Sequence, residues 1–370
     1  MNDVPGRIGI WLAGALLAAG LLGCGGQAAE PATTNVATPA DALAPLSLPA
    51  VAAVPGEGPL RVVATTSIIG DIAGRVGGEA IALTTLMAAG QDPHSYQPAA
   101  ADLAAAADAD LIFVNGWNLE EGLIADLDAA GDAPRVPVSA GITPLPSSAD
   151  PRAADPHVWQ DVANVMQWVD NIAATLSAAR PADAATFTAN AAALRAELAT
   201  LDEDIHAATA AIPATRRILV TNHDTLAYFA AAYDFRVLGS VIPGASTLAE
   251  ATAANLAALA DAMNDTGICS LFIETTAADQ LARALSEELD GCNTVRVLSL
   301  YSDALGPPGS GADSYTGMMR ANVATIVAAL GADEQGRGGA GVRGRKGAGT
   351  VCSPLPPCPP APLLSNRRPT

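Results

Sequence analysis

From about residue 59 to residue 330, short runs of β-branched and aliphatic residues alternate with alanine-rich stretches whose apolar positions recur every three or four residues. The strand-like runs of the first half are Arg61–Thr65, Ile81–Met87, Leu111–Asn115 and Arg135–Ser139; those of the second are Ile218–Asn222, Arg236–Ile242, Cys269–Glu274 and Val295–Leu300. Helical stretches fall between them, among them Ile68–Val76, Ala99–Ala107, Leu248–Asn264 and Ala277–Leu289. Strands separated by helices are the pattern of βαβ units. The predicted fold is therefore α/β, with two lobes of parallel sheet flanked by helices, 59–180 and 214–330, and no repeat is evident between them.

The segment joining the halves carries a longer period. From Asp183 to Ile212 the apolar positions Phe187, Ala191, Leu194, Leu198, Leu201 and Ile205 recur at helical steps, with Pro181 before and Pro213 after. That spacing predicts one linker helix within 181–213, ~45 Å long at 1.5 Å per residue. A continuous helix between lobes is a rigid strut, so lobe motion should be small beside that of a flexible hinge.

The ends lack such patterning. Residues 1–24 hold Arg7, then an uncharged run from Ile8 to Leu22 that is short for a membrane span, and close on Leu21-Leu22-Gly23-Cys24. They read as a signal peptide, and the closing residues resemble a bacterial lipobox, with Cys24 the lipidated residue. The mature chain would then lie outside the cytoplasm, where cysteines can oxidise. Residues 25–58, rich in Ala, Pro and Thr, read as a disordered tether, and residues 331–370, Gly/Arg-rich and then Pro-rich, as a disordered tail.

Charge narrows the partners. Nineteen Lys and Arg against 38 Asp and Glu give a net charge of −19, which speaks against nucleic acid. Half of the 370 residues are apolar and 15% charged, which suits a globular body. A monomer is expected.

Histidine is scarce, with four in the chain, and three are placed alike. His94, His157 and His223 each follow a strand-like run, and Asp303 follows the last one; only His206 lies in the strut. Ligands of open α/β sheets bind beyond the carboxyl ends of strands, so these groups could converge on a cleft between the lobes. Three neutral imidazoles and one carboxylate make a tetrahedral site for a divalent cation, and zinc suits them well. The separations of 63, 66 and 80 residues match no local metal motif, so spacing alone says little.

The stretches GQDPHSYQPAAADLAAAADADLIFVNG, DPHVWQDVANV, LVTNHDTLAYFAAAYDFRV, LFIETTAADQLARALSEEL and LYSDALGPPGSGADSYTGMMRANVATIVAAL add more. Over about Pro59 to Leu330 they resemble, in order, the zinc- and manganese-binding solute-binding proteins of bacterial ABC importers. The resemblance implies two α/β lobes joined by a long helix, with the metal site between them. It also implies His94 and His157 as ligands from the first lobe, and His223 and Asp303 from the second. The expected role is a lipid-anchored extracytoplasmic receptor that delivers its cation to an ABC transporter permease, and not an enzyme.

A third imidazole where manganese-selective members tend to carry a carboxylate favours zinc (Zn2+) as the transported substrate. Manganese (Mn2+) and ferrous iron (Fe2+) are the alternatives, because Gly141–Ala154 lacks the His-rich loop of some zinc members. From other classes, an open fourth position with Asp303 as base would make a zinc hydrolase, and a surface adhesin is a third reading. Asp92, Asp155 and Asp224 are candidate acceptors for imidazole N–H groups, or else turn formers and helix caps. Glu274 ends a strand on the same side and is not expected to bind metal directly. Trp117, Trp159, Tyr228 and Tyr301 read as cleft or core packing. Cys269 and Cys292 flank adjacent strands and could form a disulfide.

Overall fold

The computed structural model describes residues 43–274 and 295–331, with Leu285, Leu289 and Cys292 between them. The signal segment with Cys24, most of the expected helix Ala277–Leu289 and the tail after Gly331 lie outside the described residues.

Two four-stranded sheets, every pairing parallel, form the two lobes. The first holds β1 (Leu60–Ala64), β2 (Ile81–Thr85), β3 (Leu111–Val114) and β4 (Arg135–Pro137) in the order β2-β1-β3-β4. The second holds β5 (Ile218–Thr221), β6 (Arg236–Ser240), β7 (Ser270–Glu274) and β8 (Arg296–Leu300) in the order β6-β5-β7-β8. In both, chain order reverses beside the first strand, which opens a crevice at the strands' carboxyl ends.

Alternation along each strand divides the core. On β1 and β3, Val62 and Phe113 face the main hydrophobic cluster while Val63 and Ile112 face another; on β5 and β7, Leu219 and Phe272 do the former and Val220 and Leu271 turn away. The first sheet packs against α1 (Ser67–Gly77) and α4 (Val162–Ala179) on one face, and α2 (Ala100–Ala107) and α3 (Leu123–Ala130) on the other. In the second lobe, α6 (Ala227–Tyr233) joins the main cluster and α7 (Ala253–Thr266) the cluster across the sheet.

The linker helix is α5, Ala184–Ala210, 27 residues and about 40 Å long. Its buried face is the one the periodicity marks, with Phe187, Leu194, Leu198 and Leu201 fully covered, each contributing about 1.5–3 kcal/mol by burial. It packs on α4 and α1 of the first lobe, and on α6 and the last helix, α8 (Tyr315–Gly331), of the second. Helix α8 also reaches across to the first lobe. Asp71 on α1 accepts the Tyr315 backbone N–H at 2.8 Å, and Glu197 on α5 pairs with Arg75 and accepts from Thr316.

Three sequence expectations need correction. Residues 43–58, assigned to a disordered tether, lie along the first lobe. Leu46 O accepts the Gly141 N–H and Val54 N–H donates to Ala179 O, both at 2.8 Å, while Val51 and Val54 pack on the core. Backbone pairing of this kind leaves no periodic trace in sequence. Helix α7 starts at Ala253 and not at Leu248, because Thr252 and Asn255 form a capping box; Leu248 is 57% exposed. Strands β2, β4 and β6 end two residues earlier than their apolar runs, whose last residues enter the loops toward the crevice. Cys269 and Cys292 are bonded.

Candidate metal centre

The loops at the carboxyl ends of the two sheets meet, and four side chains converge there. His94 follows β2, held by a turn in which Asp92 Oδ1 accepts its backbone N–H at 2.9 Å. His157 precedes the short turn Val158–Gln160, which leads into α4. His223 lies just beyond β5, and Asp303 just beyond β8. His94 Nε2 and His223 Nε2 each stand 3.3 Å from His157 Nε2, and the Asp303 carboxylate is 3.5–4.0 Å from the three rings. One donor atom from each residue lies within 4.8 Å of all the others. Bonds of about 2.0–2.1 Å in a tetrahedron put donor atoms about 3.3–3.4 Å apart, so the spacing fits one small cation. The four side chains are at most 1% exposed.

Each imidazole is held from behind by a carboxylate at Nδ1, which turns Nε2 inward. Asp155 Oδ1 lies 2.7 Å from His157 Nδ1, Glu121 Oε1 lies 3.3 Å from His94 Nδ1, and Glu274 is paired with His223 Nδ1. Of the three aspartates considered from sequence, only Asp155 is placed against a ring nitrogen in this way. Asp92 serves the turn and accepts from Ser95 and Thr247 hydroxyls; Asp224 gives its backbone N–H to Gly244 O. Glu121 is absent from the sequence expectations, and its one signal is the acidic pair Glu120-Glu121 near the end of the loop after β3. Glu274 depends on β5 and β7 being neighbours, which strand periodicity alone does not reveal.

Burial sorts the protons. It presses His94 down to about 4 and His157 to about 3, in both cases helped by the facing imidazoles. Burial acts on His223 too, but the carboxylates of Glu274 and Asp303 outweigh it and raise the ring to about 9. Burial lifts Asp155 to about 7 and, with Glu274 nearby, Asp303 well above the usual carboxylate range. Burial thus favours the neutral rings of His94 and His157, and the neighbouring carboxylates favour a protonated ring at His223.

Contacts across the lobes fix these loops. Trp159 Nε1 and Gln160 Nε2 donate to Ser302 O at 2.7 and 3.0 Å, tying the turn after His157 to the residue before Asp303. The Tyr228 hydroxyl donates to Asp155 O at 2.8 Å and accepts the Leu145 N–H at 2.9 Å. Tyr228→Phe would take this partner from the buried Asp155 carbonyl and the half-buried Leu145 N–H and is expected to cost about 1–3 kcal/mol, read from the urea unfolding midpoint.

A family profile described as zinc-uptake complex component A, periplasmic (ZnuA), matches residues 62–329. The manganese-binding lipoprotein MntA of Halalkalibacterium halodurans is 34% identical over 275 residues, covering 74% of this chain and 89% of that protein. Among solved structures, the periplasmic zinc-binding protein TroA from Treponema pallidum matches with a TM-score of 0.68 and 33% identity, over 74% of this chain and 99% of that one. The manganese-bound periplasmic metal-binding protein of Candidatus Liberibacter asiaticus matches with a TM-score of 0.66 and 28% identity, over 73% of this chain and 98% of that one.

Proposed function

The chain belongs to the ZnuA family of substrate-binding receptors of ABC metal importers, and from that premise we propose that it captures one divalent cation outside the cytoplasm, lipid-anchored through Cys24, and delivers it to a membrane permease. The observation that carries this reading is the convergence of four buried donor atoms from four separate loops within 4.8 Å. His94, His157, His223 and Asp303 would be the complete ligand set. A site with four protein donors offers no position for an activated water, which fits a receptor and not a hydrolase.

Zinc is the cargo we favour. Three imidazoles and one carboxylate are softer and less anionic than an oxygen-rich manganese site, and for such donors affinity rises from manganese to zinc. Manganese is the second reading, supported by the relatives named for that metal. Competition titration of the metal-stripped chain separates them: zinc should bind with one-to-one stoichiometry and at least about a hundredfold more tightly than manganese. Equal affinities, or a preference for manganese, would remove the zinc assignment and leave the receptor role standing.

A further inference from the structure

One side of the centre is built differently from the rest. Among the described residues, His94 lines an open cavity, about 380 Å³ in volume, bordered also by Trp117, Glu121, Ser147 and Ser246. The carboxylate behind His94 shares that opening: the Glu121 side chain is 28% exposed, against 0% for Asp155 and 2% for Glu274. The backbone is bent to place it there. Gly116, Trp117 and Asn118 take φ values of 105°, 48° and 60°, a conformation that costs a non-glycine residue about 1–3 kcal/mol. Buried Glu120 pins the turn by accepting the Asn115 N–H and the Thr65 hydroxyl, both at 2.7 Å. With Glu120 turned inward, its neighbour Glu121 stands at the cavity and touches His94.

We propose that Glu121 is the landing and positioning residue of the centre: its carboxylate meets the hydrated divalent cation in the cavity and holds His94 by Nδ1 so that the ring receives it. This rests on the four-donor reading above. A charge in a concave opening raises the local concentration of counter-ions and so the rate of capture. The contact with Nδ1 sets the ring's orientation and so the rate of loss.

Stopped-flow mixing of the metal-stripped full chain with Zn2+, and separately Mn2+, tests both parts through two variants. Glu121→Gln keeps an acceptor oxygen beside His94 but removes the charge. Association should slow about tenfold at low ionic strength, the gap should close as salt rises, and dissociation should change less than about threefold. Glu121→Asp keeps the charge but shortens the reach to His94. Association should stay within about threefold of the parent chain, while dissociation quickens about tenfold. Glu121→Gln associating within about twofold of the parent at low salt, or Glu121→Asp associating as slowly as Glu121→Gln, would overturn the inference. Failure of the unaltered chain to bind either metal would instead overturn the four-donor reading.

Discussion

Replacing His157 with alanine is expected to weaken metal binding by more than about a thousandfold, and replacing His157 and His223 together to abolish it in equilibrium dialysis with elemental analysis. Outer partners of a metal-bound imidazole alone are worth about ten- to a hundredfold, and a direct donor is worth more. His157 is the cleaner single site. It stands between the other two imidazoles, and its partner Asp155, raised to about 7, can take up a proton once the ring is gone. His223→Ala instead breaks a buried ion pair with Glu274, at a cost of about 3–5 kcal/mol, so thermal unfolding must accompany that variant. One equivalent of metal retained by a folded double variant would remove these side chains from the centre.

The second large effect is with pH. An unperturbed histidine site would reach full affinity a little above pH 6.5. Here the free protein holds a proton on His223 up to about pH 9, and a cation bound at Nε2 has to displace it. The sign follows directly: protonation favours the empty form, so affinity falls as pH drops below about 9. The expected change is about tenfold per pH unit, or about a hundredfold between pH 6.5 and 8.5, and steeper where Asp303 also gives up a proton. Calorimetry in buffers of different ionisation enthalpy should show at least about one proton released per metal at pH 7, from His223 and in part from Asp303. Affinity that is flat between pH 7 and 8.5 would mean that His223 is neutral in the free chain.

Much of this architecture was legible in the sequence because it depends on local period. The alternation of Val62 and Val63, or Leu219 and Val220, and the heptad-like steps from Phe187 to Ile205 each follow from one element's own geometry. The four donors were legible because each lies in a loop within a recognisable stretch, although only His223 and Asp303 stand just beyond a strand, and His157 follows β4 at twenty residues' distance. Features that depend on which elements become neighbours were not. The partner of His223 is Glu274 because β7 lies next to β5, and the partner of His94 is Glu121 because a left-handed turn at Trp117 and Asn118 redirects the chain. The docking of residues 43–58 has no signature in the sequence because its contacts are largely backbone hydrogen bonds, to which composition is blind.

Helices α5 and α8 are each stitched to both halves, by a buried apolar seam along one and by Asp71, Arg75 and Glu197 beside the other. A molecule braced twice has no single pivot about which to gape like a clam. Unloading would then proceed through a local breach at the His94 wall, with the remaining donors left in their frame. A permease that empties this receptor would need to pry at a few residues around that wall, and it would distinguish full from empty by the shape of a patch rather than by the angle between halves.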